Sequence, residues 1–411
     1  MNSSFEKNLQ TPHFRGLNGI RALAVLLVIL FHLNVTTFSG GYIGVDVFFV
    51  ISGFLITRII LRDEKKSEFS FATFFIRRTR RLFPALFVTC IITFGYAAIY
   101  LSPYQLARTA KGTLGALASI SNFIYLPTND YFAPRTPNLP LLHTWSLGVE
   151  EQFYLFWPLF LIAARKFFRN WVFLAISVLW VVSFFSAASL IHWHANTVFY
   201  LTPFRIWEFA TGALLLLVPR QEKALGNVLI VLGCAMIFYC ATNYDKETVF
   251  PGLTALGPCL GAAVLIVGSE SPASILLLGN PISDYIGKIS YSLYLVHWPL
   301  VLHWILQHGK VSTDHFLTLM SITLALGVAL HHGVEARFRI KQDESRKFGR
   351  TLAAIGIAAV SITILASTNA YITDGWRWRS NEDVRSLLVK QRTGYGIASR
   401  RMFPGDQSDN I

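Results

Sequence analysis

Residues Phe14 to Leu33 read FRGLNGIRALAVLLVILFHL, an apolar run that opens on arginine and carries one histidine near its far end. Arg21 and His32 stand eleven residues apart. At 3.6 residues per turn that is roughly 1100° of rotation, so the two side chains share a helix face. It is also about 16 Å of rise, half of a bilayer's hydrocarbon thickness. Read as a first membrane-spanning helix, the stretch puts Arg21 at one surface and His32 past the middle on the same line. An ionisable group at that depth is costly and is either functional or hydrogen-bonded within a helix bundle.

The remaining sequence extends that reading. Of 411 residues, 53% are hydrophobic and 14% charged, and the mean hydropathy is +0.47, which excludes an ordinary soluble domain. Apolar stretches recur near 17–37, 42–61, 82–102, 145–164, 171–190, 200–219, 225–241, 252–268, 285–306, 314–334 and 351–369. They predict an all-α polytopic transmembrane bundle of eleven spans. A formal net charge of +13 would suit nucleic acid in a soluble chain; in a membrane protein it records orientation. With the N-terminus inside, the inner connections hold 23 Lys and Arg and the short outer ones 6. The N-terminus is therefore expected to be cytoplasmic and residues 370–411 periplasmic. Cys90, Cys234, Cys240 and Cys259 lie in apolar stretches, as free thiols with no disulfide framework and no metal-ligand spacing. No small-residue cleavage site follows the first span, which is read as a retained helix.

Two connections exceed a turn. The inner one, residues 58–81, ends in IRRTRR; the outer one, 103–143, contains Pro127, Pro134, Pro137 and Pro140 and is expected to fold over the bundle mouth. In the arginine run, Arg78 with Arg81, or Arg77 with Arg81, share a face and can clamp phosphate. The plain alternative is a positive-inside anchor. On the outer half fall His32, Asp46 and the adjacent pair Glu150 and Glu151 within HTWSLGVEEQFYLFWP, residues 143–158. One glutamate can pair with His32 and raise its basicity, the other with an arginine. Asp46, a lone carboxylate in GGYIGVDVFFVISGFLI (40–56), requires a partner, and the glycines there allow close helix packing. Tyr294 and His297 in YSLYLVHWP, with Ser52 and Trp145, are candidates to line a substrate cavity. Glu335, Arg337 and Arg339 read as ordinary interfacial residues. A basic inner mouth with a deeper histidine fits two functions: a base that activates a hydroxyl for acyl transfer, or a proton-coupled transporter using the same residues as a relay.

Five stretches in order, FRGLNGIRALAVLLVILFH, GGYIGVDVFFVISGFLI, FFIRRTRRLFPAL, HTWSLGVEEQFYLFWP and ISYSLYLVHWPL, resemble the acyltransferase-3 family of membrane O-acyltransferases. The resemblance implies acetyl-coenzyme A as cytoplasmic acyl donor and a sugar hydroxyl as acceptor. The sugar would belong to an envelope glycan such as lipopolysaccharide O-antigen, or be lipid-linked, at the periplasmic side of a bacterial inner membrane. It implies His32 as the catalytic residue of a basic-residue-then-histidine motif with Arg21. Coenzyme A phosphates would be held by Arg78 and Arg81, or by Arg77 and Arg80 if the tandem run shifts the motif. Glu150 and Glu151 match the family's acidic pair, while Asp46, Tyr294, His297 and Glu335 lie in matching patterns. The expected division is a ten-span acyltransferase-like domain over 1–340, a cytoplasmic linker with the eleventh span over 341–370, and a periplasmic tail over 371–411. The TDGWRWR of that tail (373–379) resembles the lead-in to a fused SGNH-type esterase-like domain. About forty residues follow the last span, too few for such a domain, so the chain reads as a truncation or its tail serves another purpose.

Overall fold

The computed structural model describes residues 3–10, 14, 16–128, 139–167, 171–309, 311–339 and 346–379. Pro134, Arg135 and Pro137 of the long connection, Lys310, and the tail beyond Arg379 lie outside them.

An amphipathic helix, α1 (Ser3–Gln10), precedes the bundle. The longer helices then follow as α2 (Leu17–His32), α3 (Gly44–Lys65), α4 (Phe71–Tyr100), α5 (Pro103–Leu117), α6 (Thr144–Phe167) and α7 (Val172–Leu190). After them come α8 (Ile206–Leu214), α9 (Ala224–Asn243), α10 (Leu256–Val267), α11 (Pro281–His308), α12 (Phe316–Leu330) and α13 (Arg346–Ile372). Among the described residues there are no strands, and six helices are long and apolar enough to cross a membrane. Four shorter apolar helices lie at 17–32, 206–217, 252–267 and 356–372. The protein is a multi-pass helical membrane protein.

Local chemistry explains several ends. Ser102 and Gln105 form a reciprocal capping box around Pro103, so α5 starts immediately after α4. Asn280 caps Ser283 with Pro281 in the first turn of α11. Three departures from the sequence reading have physical causes. The third span begins at Phe71, capped by Ser70, so the IRRTRR run is helical and fixed in rotation. The sixth span is broken: Pro203 lies in a 3-10 turn, and α8 starts only at Ile206. The long outer connection is helical at first, with α5 and a turn of helix at Ser121–Tyr125.

Helix α3 is the buried centre; 78% of its apolar window is covered, against 28% for α7. The outer helices show Ile92, Val182, Val231 and Leu317 to the surroundings, as lipid-facing positions should. Close approach depends on glycine. A Cβ at Gly53 would run into the Phe209 carbonyl of α8, and one at Gly212 into the Val50 carbonyl of α3. Gly19 and Gly287 play the same part between α2, α11 and the turn at Leu278. Gly53→Ala is therefore expected to destabilise by about 1–3 kcal/mol through forced separation of α3 and α8. Thermal unfolding in detergent checks it; an unchanged midpoint would contradict this packing.

Candidate active site

A cleft of about 730 Å³ opens among α2, α3, α4, α6 and α11. One end is basic: Arg21, Arg78 and Arg81 line it together with Ile56 and Leu82. Arg78 and Arg81, one turn apart on α4, face inward, while Arg77 and Arg80 are exposed on the other side of the same helix. The rotation of α4 thus keeps Arg77 and Arg80 off the cleft lining. The Arg78 guanidinium lies 5.1 Å from the Tyr154 ring centroid. Arg81 Nε is buried with no hydrogen-bond partner among the described residues.

Midway along the cleft, Glu150 accepts short hydrogen bonds from Ser52 of α3 and from Tyr154 one turn on. Glu151 lies about 100° further round the helix and faces a smaller adjoining pocket beside Leu86, Ala116 and Tyr291. Only Glu150 lines the main cleft. Ser146, one turn before Glu150, and Tyr294 line the cleft further along. Tyr294 donates to the backbone carbonyl of His143 at 2.8 Å, and Ser146 lies 2.6 Å from the Tyr294 oxygen. One phenolic proton cannot serve both partners, so Ser146 donates to Tyr294.

Next to Tyr294, outside the cleft lining, stand three imidazoles. His297 Nδ1 is 2.6 Å from the Tyr294 carbonyl, which can only accept, so Nδ1 carries the proton and Nε2 the lone pair. His32 Nδ1 is 2.9 Å from the Val28 carbonyl and 3.2 Å from His297 Nε2. By the same argument His32 is protonated at Nδ1, and its Nε2 carries the lone pair that a base needs. The ring is held between Phe31, with centroids 5.0 Å apart, and Trp298, at 4.7 Å. His143 completes the group, its ring 5.7 Å from that of His297. The glutamate expected to orient His32 is engaged with Ser52 and Tyr154, and a histidine from α11 occupies the orienting position.

A family model described as an acyltransferase domain matches residues 14–332. The chain belongs to that acyltransferase family. It is 32% identical over 309 residues to the peptidoglycan O-acetyltransferase OatA of Listeria monocytogenes, covering 69% of this chain and 49% of that one. It is 32% identical over 361 residues to the putative peptidoglycan O-acetyltransferase YrhL of Bacillus subtilis, covering 80% and 56%. A putative O-acetyltransferase of Staphylococcus aureus is 27% identical over 359 residues, covering 82% and 59%. The chain thus spans about half the length of these curated relatives. No solved structure matches it.

Asp46 and Trp145 fall outside the cleft of this acyltransferase domain, as do His32 and His297, the last expected from sequence to line a substrate cavity. Asp46 turns away from its cleft-lining neighbours Val45 and Phe49 and pairs with Arg205 at 2.9 Å. Arg205, counted from sequence among outer-loop cations, is fully buried, because the break at Pro203 drops it into the bundle. There it also meets Glu208 at 3.1 Å, and the rings of Phe49, Trp145, Phe199 and Phe250 surround it at 5.6–5.9 Å. Trp145, expected in the substrate cavity, belongs to this cage, packed on Phe199 and Tyr200.

Sequence reasoning also understated Glu335. It is 1% exposed and accepts from Ser292 at 2.8 Å, with His331 Nδ1 2.9 Å away, across a π-helical turn spanning His331–Glu335. The cue was available in HHGVE, since residues four apart share a face.

Proposed function

We propose that this chain is a membrane O-acetyltransferase that takes acetyl from acetyl-coenzyme A and delivers it to a sugar hydroxyl of an envelope glycan. The carrying observation is the cleft, lined at one end by Arg21, Arg78 and Arg81 and further along by Ser146 and Tyr294 with the imidazoles next to Tyr294. Eleven spans with a cytoplasmic N-terminus, set in the inner membrane, would put the arginines at the cytosolic face. The orphaned Nε of Arg81 fits an anionic ligand, and planar guanidinium forks suit phosphate. Arg78 and Arg81 hold the coenzyme A phosphates, with Arg21 contributing charge, and the acyl-bearing arm runs past Glu150 toward Ser146 and Tyr294. When Ser146 and Tyr294 part, the thioester meets His32. The acceptor hydroxyl loses its proton to His32 Nε2 as its oxygen bonds to the acyl carbon. The carbon–sulfur bond then breaks, and the sulfur takes the proton. His297 holds the tautomer of His32. Asp46 serves as scaffold through Arg205.

The names of the relatives favour a peptidoglycan sugar over lipopolysaccharide O-antigen as acceptor. Residues 341–370 act as linker and last span, and Thr373–Arg379 as the start of a periplasmic segment. Labelled acetyl-coenzyme A supplied to the full chain in vesicles with envelope glycan separates transfer from transport. Label on the glycan is expected; label that crosses the bilayer without joining an acceptor would establish the transporter reading.

Arginine substitutions give a second test. Arg78→Ala and Arg81→Ala are each expected to weaken coenzyme A binding by about 10- to 100-fold, the scale of a charge-assisted hydrogen bond. Arg77→Ala and Arg80→Ala should leave it within about twofold, since exposed charges are screened. Calorimetry in detergent checks both; equal losses from all four would reduce the run to a diffuse basic surface.

A further inference from the structure

His143 is 2% exposed, yet neither of its ring nitrogens makes a hydrogen bond of good geometry among the described residues, although the Leu295 backbone lies near enough to act on the ring. The ring is nonetheless firmly placed. It stands 5.5 Å from the ring of Tyr294 and 5.7 Å from that of His297. Its own carbonyl accepts from Tyr294 at 2.8 Å and lies 3.2 Å from the Ser146 hydroxyl, two groups that line the cleft. The imidazole therefore packs both on Tyr294, which lines the cleft, and on His297, which contacts His32. A neutral imidazole always carries one N–H donor and one acceptor lone pair. Burying both unmade is unfavourable, and native proteins keep such groups where a ligand or water completes them.

We propose that His143 is a further catalytic residue of the acyl-transfer step, whose N–H donates a hydrogen bond to the acyl carbonyl oxygen where donor and acceptor meet. This deepens the proposed function and rests on the reading of His32 as base. As the acceptor oxygen bonds to the acyl carbon and its proton passes to His32 Nε2, negative charge gathers on the carbonyl oxygen. His143 holds that charge until the C=O bond re-forms and the carbon–sulfur bond breaks, leaving the proton of His32 for the sulfur. The three imidazoles thereby divide the work: His32 moves the proton, His297 sets its tautomer, and His143 steadies the oxyanion. A packing role would leave the transfer rate unchanged when phenylalanine replaces the ring, whereas an oxyanion donor would not.

The test compares His143→Phe, His143→Gln and His32→Ala in the full chain, expressed in cells and scored by base-released acetate on the envelope glycan per folded protein. Coenzyme A binding is measured alongside by calorimetry. A phenylalanine replaces the unsatisfied ring by an apolar one of similar size, so His143→Phe should fold and bind coenzyme A normally. Its transfer should fall roughly 100- to 1000-fold, the cost of losing one oxyanion donor. His143→Gln, which keeps a side-chain N–H, should recover part of that loss. Transfer by His143→Phe at the wild-type rate overturns the proposal. If the phenylalanine variant does not accumulate, His143→Gln against His143→Leu decides: glutamine faster by tenfold or more supports it, and equal rates overturn it. An inactive His32→Ala with a fully active His143→Phe removes this inference alone. The reverse pattern removes the base assignment of His32 and leaves His143 in the reaction.

Discussion

His32→Ala is expected to lower glycan acetylation by roughly 100- to 10,000-fold, the range for losing a positioned general base, while leaving coenzyme A affinity and the melting midpoint unchanged. The separation follows from the layout. Arg21 and His32 lie about 16 Å apart along α2, and none of the three imidazoles lines the cleft that holds the arginines. Removing the ring therefore leaves the arginine end intact. His32 is half-buried, so its loss vacates little core. Glycan-bound acetate, protein level and donor binding measured on one preparation check the result. Acetylation at the wild-type level with normal expression would exclude His32 as the base.

Arg205→Met carries the largest expected effect on stability, about 3–5 kcal/mol of destabilisation. Arg205, Asp46 and Glu208 are all fully buried, and two carboxylates share one guanidinium. Without the cation, both acids remain in an aromatic cage and one must protonate. Because the penalty comes from the abandoned charges, adding Asp46→Asn and Glu208→Gln to Arg205→Met should restore most of the loss. Unfolding midpoints of the single and triple variants in detergent give the comparison. A single variant as stable as wild type would show that the cluster does not hold α3 to α8. A triple variant no better than the single would assign the loss to packing of the long side chain.

Much of the site was legible because helices impose a period. The eleven-residue interval put Arg21 and His32 on one face, and three-residue spacing put Arg78 and Arg81 together in the cleft. Local sequence could not choose between this pair and Arg77 with Arg80; that choice depends on the rotation of α4, fixed by packing along its whole length. Adjacent Glu150 and Glu151 looked equivalent, yet a 100° step on α6 sends them to different pockets. The partner of His32 was not legible, since His297 is 265 residues away and meets it only through the packing of α2 on α11. His143 was hidden for another reason: it sits in the turn before α6, where no periodicity speaks. Asp46 announced the need for a counter-charge, but its partner read as a loop cation until Pro203 broke the sixth span.

The most direct measurement is an experimental structure of the full chain with a non-hydrolysable acyl thioether of coenzyme A bound. Phosphate oxygens are expected within hydrogen-bond reach of Arg78 and Arg81, and the acyl carbonyl carbon beside His32 Nε2. An acyl group lying toward lipid, or phosphates bound away from Arg78 and Arg81, would contradict it.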